Sequence, residues 1–143
     1  MTEKINYLKE SGAAFLPPAS FRALELANAA FQHMRASVLP KSAADFYLEH
    51  DGAFLGDAIV FPLEDKERPD RSYAIPGMIK VNRSFSSFAQ LRGKTVWGRN
   101  QIYMFSADVI GGVYMHDALT LQVLRKYGDF GAALADCLLV GKI

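Results

Sequence analysis

Apolar positions along this chain recur first with a helical period and later with the alternation of strands. Leu24, Leu26, Ala27, Ala30, Phe31 and Met34 follow Ser20, whose short hydroxyl side chain suits a helix N-cap. That spacing predicts a helix over residues 21–37 with its apolar stripe on the core. Before it, residues 1–11 mix charge with Ile5, Tyr7 and Leu8, the pattern of a short helix or a packed arm, and Pro17-Pro18 forces extended chain. Leu39-Pro40 then interrupts, because the residue before a proline is pushed out of helical geometry. Ala43, Ala44, Phe46, Tyr47 and Leu48 give a second helix an apolar face. His50-Asp51-Gly52 closes it, with Gly52 expected at positive φ, where alanine would cost about 1 kcal/mol or more. Ala58-Ile59-Val60-Phe61 reads as a strand that Pro62 ends.

Residues 64–72 form a charged stretch with one proline, the composition of a solvated loop. Tyr73, Ile75, Met78, Ile79 and Val81 suggest extended chain broken at Pro76-Gly77, after which Asn82 or Ser84 caps a short helix over Phe85, Phe88, Ala89 and Leu91. The following residues are β-rich. Thr95-Val96-Trp97 is one strand, Gly98-Arg99-Asn100 its turn with Gly98 or Asn100 in any left-handed position, and residues 101–105 the next strand. Ser106-Ala107-Asp108 turns again into a third strand over residues 110–116, weakened at its start by Gly111-Gly112, which fits a bulge or a close approach by another backbone. Leu119, Leu121, Val123 and Tyr127 alternate with polar residues as in a half-buried strand, although Leu124 breaks the alternation toward a helical reading. Asp129 caps a last helix through Phe130, Ala133, Leu134, Cys137 and Leu138. The class these elements define is α+β: a mainly antiparallel sheet with helices from both ends of the chain packed on one face.

Composition narrows the setting. At 143 residues, 50% hydrophobic and 22% charged, the chain suits one globular domain, residues 1–143, with residues 1–38 a helical extension packed on it. No apolar run is long enough to cross a bilayer. A single cysteine, Cys137, excludes an intrachain disulfide, favours a cytoplasmic location and reads as a packed side chain of the last helix. A formal net charge of +1 gives no global field for nucleic acid. Charge is unevenly spread, however. Asp45, Glu49, Asp51, Asp57, Glu64, Asp65, Glu67 and Asp70 outnumber Lys41, Lys66 and Arg68, and the following block carries only Arg71, Lys80, Arg83, Arg92, Lys94 and Arg99. Aromatic residues interleave with that basic block, as a nucleic-acid face or a core would each require.

Catalytic chemistry finds little support. The sequence has no P-loop, and Gly111-Gly112 lacks the spacing of a dinucleotide fingerprint. His33, His50 and His116 lie in three different elements, without the spacing of a metal site, so no metal and no cofactor are expected. His50-Asp51 and His116-Asp117 each place imidazole beside carboxylate, but adjacent side chains point apart, and turn or capping use accounts for both aspartates.

Leu-Pro, a short helix with Phe-Tyr-Leu, the Asp51-Gly52-Ala53 turn and a strand closing on Phe61-Pro62 resemble the SUKH superfamily, whose usual turn is Asn-Gly-Gly. Val96-Trp97-Gly98 and residues 108–114 look like its sheet segments. The superfamily contains a fungal cell-wall assembly regulator and many bacterial immunity proteins. The resemblance implies a non-enzymatic protein-binding module that holds a cognate toxin inactive. On such a surface Trp97, Arg99, Tyr103, Asp108 and Tyr114 are the candidate anchors, with Asp51 and Glu64 as charged neighbours, since Trp, Tyr and Arg dominate binding hot spots. Trp97 and Tyr103 are equally readable as core, and Trp97 would share a face with Arg99 in a regular strand. The alternative function is small-molecule or nucleic-acid binding by the basic, aromatic sheet region.

Overall fold

The computed structural model describes residues 1–67 and 74–139. Its elements run α1 (Thr2–Glu10), β1 (Ala14–Phe15), α2 (Phe21–His33), α3 (Lys41–Glu49), β2 (Ala53–Leu55), β3 (Ala58–Val60), β4 (Lys66–Glu67) and β5 (Ala74–Ile75). They continue with α4 (Met78–Phe85), β6 (Thr95–Arg99), β7 (Tyr103–Ala107), β8 (Val113–Asp117), β9 (Val123–Tyr127) and α5 (Phe130–Leu138). Seven strands form one sheet in the order β1-β2-β3-β6-β7-β8-β9, every neighbouring pair antiparallel, and β4 pairs with β5 separately. The architecture is α+β. α1 and α5, from opposite ends of the chain, pack on one another. α5 covers the sheet face that carries the cross-strand row Val60, Gly98, Phe105 and Met115. A Cβ on Gly98 would lie 3.1 Å from Cys137 Sγ and 3.1 Å from the Ile59 carbonyl, so the glycine lets α5 seat directly on the strand.

Several boundaries differ from the sequence pattern, each for a local reason. α2 stops at His33, and Arg35 takes positive φ, so that Ser37 reaches Thr95. There the Ser37 N–H donates to Thr95 Oγ1 at 2.9 Å and the Thr95 hydroxyl donates to the Ser37 carbonyl. α4 begins at Met78, earlier than a side-chain cap would signal. Its first N–H groups are satisfied by main-chain carbonyls, Met78 on Pro62 and Ile79 on Leu63, which leave no mark in sequence. It ends at Phe85, and a separate 3-10 turn follows at Ala89–Leu91. Asn82 is therefore not a cap but a buried residue in mid-helix. Its side-chain amide donates to the Val96 carbonyl and accepts from the Val96 N–H, both at 2.8 Å, as a neighbouring strand would.

The hairpin of β6 and β7 forms, with its turn two residues later than expected. Gly98 and Arg99 stay in the strand, and the turn is Asn100, Gln101 and Ile102. Asn100 Oδ1 accepts from the Ile102 and Tyr103 N–H groups, a side-chain turn that needs no left-handed residue, and neither Gly98 nor Asn100 has positive φ. Ser106 and Ala107 likewise remain in β7, the turn falls at residues 108–112, and Gly111 supplies the positive φ there. The expected bulge at Gly111-Gly112 is absent from β8; bulges occur instead between Val96 and Gly98 in β6 and opposite Leu124 in β9. Residues 119–122 form a turn ahead of β9, which is mostly exposed rather than half-buried. The extension at residues 1–38 does more than pack as helix, since β1 supplies an edge strand of the sheet. Of the charged stretch, Lys66 and Glu67 pair as β4, and residues 68–72 lie outside the described residues.

Gly52 has φ +99°, as expected, but it stands two residues beyond His50, whose extended backbone ends α3. A Cβ there would meet the Val60 carbonyl at 2.7 Å and Pro62 N at 2.9 Å. Gly52→Ala is therefore expected to cost roughly 2–4 kcal/mol, beyond the conformational term alone, in urea unfolding. Asn82→Leu strands the buried N–H and C=O of Val96 and should cost roughly 2–4 kcal/mol, with faster hydrogen exchange at the Val96 amide as its local signature.

Candidate functional site

Opposite the α5 face, a second cross-strand row runs Phe54, Ile59, Arg99, Met104 and His116. Cross-strand partners share a face, so Arg99 stands between Ile59 and Met104, both buried. α4 borders this face and leaves a groove of about 620 Å³ between itself and β3, β6 and β7. Ile59, Phe61 and Met104 give it an apolar floor, Val81 and Phe85 of α4 an apolar wall, and Arg99, Asn100 and Gln101 a polar end. Beside that end the β6–β7 turn and the loop after β8 meet, with the Ala118 N–H donating to the Ile102 carbonyl at 3.3 Å. Both present large apolar side chains to solvent there, Ile102 49% and Leu119 93% exposed.

The seven residues singled out from sequence do not form one surface. Arg99 is exposed and Tyr103 half-buried at the groove. Trp97 is not a surface residue: it is fully buried, its ring 4.6 Å from Phe130 and 5.4 Å from Phe105. The bulge between Val96 and Gly98 is the reason, because one extra residue resets the alternation and turns Trp97 and Arg99 to opposite faces. Asp51 is also buried. Its carboxylate accepts from the Leu63 N–H at 2.9 Å and pairs with Lys66 at 2.6 Å, a tether between turn and loop. Asp108 and Tyr114 lie together at the far end of the β7–β8 hairpin, about 16 Å from Tyr103 at the usual strand rise. The Tyr114 hydroxyl donates to Asp108 at 2.5 Å, which raises the phenol's pKa, and Lys94 and Lys126 stand over its ring. Glu64 is exposed in the loop against Gly77.

Charge follows the same pattern of local use. Asp45 pairs with Lys41, Asp65 with Lys80 and the Gly77 N–H, and Asp57 accepts from Gln101 at 2.6 Å. Asp45, Asp51, Asp57 and Asp65 of the acidic block are thus spent on separate contacts. Among the described residues no three His, Cys, Asp or Glu side chains gather as a metal site, and no helix is long and apolar enough to cross a membrane. His33 is exposed on α2, and His50 stacks on Phe15 and Phe46. Cys137 is buried, and its thiol is pushed up by burial.

Sequence reasoning missed one polar pair, Ser106 and His116, which lie on adjacent strands of the groove face. Ser106 Oγ is 2.7 Å from His116 Nε2, and His116 Nδ1 is 2.9 Å from the Leu121 carbonyl. A carbonyl only accepts, so Nδ1 carries the proton and Nε2 accepts from the serine hydroxyl. A serine donating to an imidazole is the start of a nucleophile–base pair. Here both side chains are wholly buried, and the imidazole is oriented by a main-chain carbonyl of Leu121, which itself takes positive φ. Asp117, adjacent in sequence, turns away to cap the N–H groups of Leu119 and Thr120. The β8 register that would have revealed the pair has no signal in composition.

Comparison of the chain with family models, with curated proteins and with solved structures finds no match. The functional reading therefore rests on the site itself.

Burial lowers the pKa of His116, and to a lesser depth of cover that of His50. The folded state holds these rings neutral while the unfolded chain protonates them near pH 6.5. The unfolded state then binds more protons, so stability falls as pH drops from about 6.5 toward the lower folded-state values. Urea unfolding between about pH 7.5 and 5 should show this slope, and His116→Gln should flatten it more than His50→Gln does. Equal slopes in all three proteins would count against the assignment.

Proposed function

We propose that this chain is a non-catalytic protein-binding module of the immunity type, acting in the cytoplasm and holding a partner such as a toxin domain in an inactive complex. The observation that carries the reading is the clustering of Ile102 and Leu119, both well exposed, with Arg99 and the apolar groove at one end of the sheet. Exposed apolar groups gathered beside an exposed arginine have the composition of an interface core, whereas scattered ones need no explanation. Tyr103 borders the same end and contributes an aromatic ring with a polar tip. Asp108 and Tyr114 would then serve a second contact or none, given their distance. The β6–β7 and β8–β9 turns suit this role because a rigid antiparallel meander holds both tips in fixed relation.

A second reading, small-molecule binding, draws on the groove alone, whose volume of about 620 Å³ lies within the range of ligand sites. A raised Tm with a small ligand and an unchanged interaction on altering Ile102 and Leu119 would favour it. For the first reading, a partner captured from the source cell and identified should bind the double variant Ile102→Asp/Leu119→Asp at least about thirtyfold more weakly, the scale of a hot spot, with the fold checked by circular dichroism. A folded double variant that binds this partner as tightly as the original would remove this surface from consideration.

A further inference from the structure

The polar groups around the groove are almost all spent on the fold. Asn100 uses its carboxamide oxygen on Ile102 and Tyr103 and its nitrogen on the Cys137 carbonyl. Gln101 donates to Asp57, and Ser84 donates to the Lys80 carbonyl. Apart from the Tyr103 hydroxyl, Arg99 is the exception among the described residues. Its side chain forms no ion pair or hydrogen bond among the described residues, although the residues across from it in the sheet, Ile59 and Met104, are buried and apolar. A position in such a row would serve the sheet better as an apolar residue, and the guanidinium's five donors have no partner among the described residues.

We propose that the groove receives an acidic, apolar segment of the partner protein: a bulky apolar side chain lies on Ile59, Phe61 and Met104, and a neighbouring carboxylate pairs with Arg99. This rests on the protein-binding reading above and specifies the chemistry of what is bound. Guanidinium and carboxylate match as a two-pronged pair, and the apolar floor beside them keeps water from competing on that side. A nucleic acid fits poorly, because phosphate backbones are held by several cations along a track, and among the described residues that line this groove Arg99 is the one cation.

The test is selection from a display library of random short peptides on the full-length protein, followed by affinity measurement on the enriched sequences. Enriched peptides should carry Asp or Glu beside Phe, Leu, Met or Trp. Arg99→Glu should weaken them at least about thirtyfold, while Lys126→Glu, the same change of charge on the same sheet face outside the groove, should leave them unchanged. Thermal unfolding confirms that both variants fold. Selection without enrichment of acids, or a folded Arg99→Glu variant that binds the peptides as before, overturns the proposal. So does a homodimer seen by sedimentation and dissociated by Arg99→Glu, since the occupant would then be a second copy. If the identified partner is lost on Ile102→Asp/Leu119→Asp but bound normally by Arg99→Glu, the binding surface stands and this assignment of the groove falls. If neither variant affects that partner, both fall.

Discussion

Between Val96 and Gly98, strand β6 carries one residue more than β7 sets against it, and much of the molecule is arranged around that extra residue. With alternation reset, Trp97 and Gly98 both serve the α5 face. Trp97 fills the space against Phe130 and Phe105, and Gly98 admits the helix to within van der Waals distance of the backbone. Arg99 is thrown to the other face, where no helix lies over it. The outer edge of Val96, which β3 no longer reaches, is taken by the amide of Asn82, and this fixes α4 along the groove. One bulge thus sets the core on one side and the open site on the other. A cost remains on the core side: Trp97 Nε1 is the one buried side-chain donor without a hydrogen bond among the described residues, a penalty on the order of 1–3 kcal/mol.

The sheet is short-stranded, and side chains finish what its ladders leave undone. Tyr47 donates to the Phe61 carbonyl at 2.5 Å, tying α3 to the end of β3, and burial together with Asp51 raises its pKa. Asp51 holds the Leu63 N–H, Thr95 and Ser37 hold one another, and His116 joins β7 to the loop after β8. Apart from the side-chain pair Ser106–His116, each contact satisfies a main-chain group in the chain beside the sheet, where an unmade buried hydrogen bond would be expensive. The polar residues of the interior therefore act as substitutes for missing strand partners. At the groove, Asn100 is used in the same way, on the Ile102 and Tyr103 N–H groups and the Cys137 carbonyl, while Gln101 donates to the Asp57 side chain. Arg99 is set apart by having no such task.

That separation bears on how function and fold share one sheet. The α5 face is closed and apolar. The opposite face is bordered by α4, and its end at the β6–β7 turn and the loop after β8 is open around Arg99, Ile102 and Leu119. Asp108 and Tyr114 close the far end of the meander through their own hydrogen bond and the lysines above the ring. A surface with one open end and rigid turns can bind without rearranging, which keeps the entropic cost of association low.

Local chemistry was readable from residues alone wherever a side chain acts on its own neighbourhood. Ser20 and Asp129 cap their helices by accepting from Ala23 and Ala132, the periodicity of α2 and α5 places Phe31, Leu134 and Cys137 in the core, and Gly52 takes positive φ. The antiparallel α+β class followed from the same signals. What sequence could not supply depends on partners distant in the chain. α4 starts on the carbonyls of Pro62 and Leu63, Asn82 pairs with Val96, and Ser106 meets His116 across two strands. The same limit separated Trp97 from Arg99. Strand alternation assigns faces only while the register is regular, and a bulge arises from pairing between strands, so only the tertiary structure decided that the tryptophan is core and the arginine stands exposed at the groove.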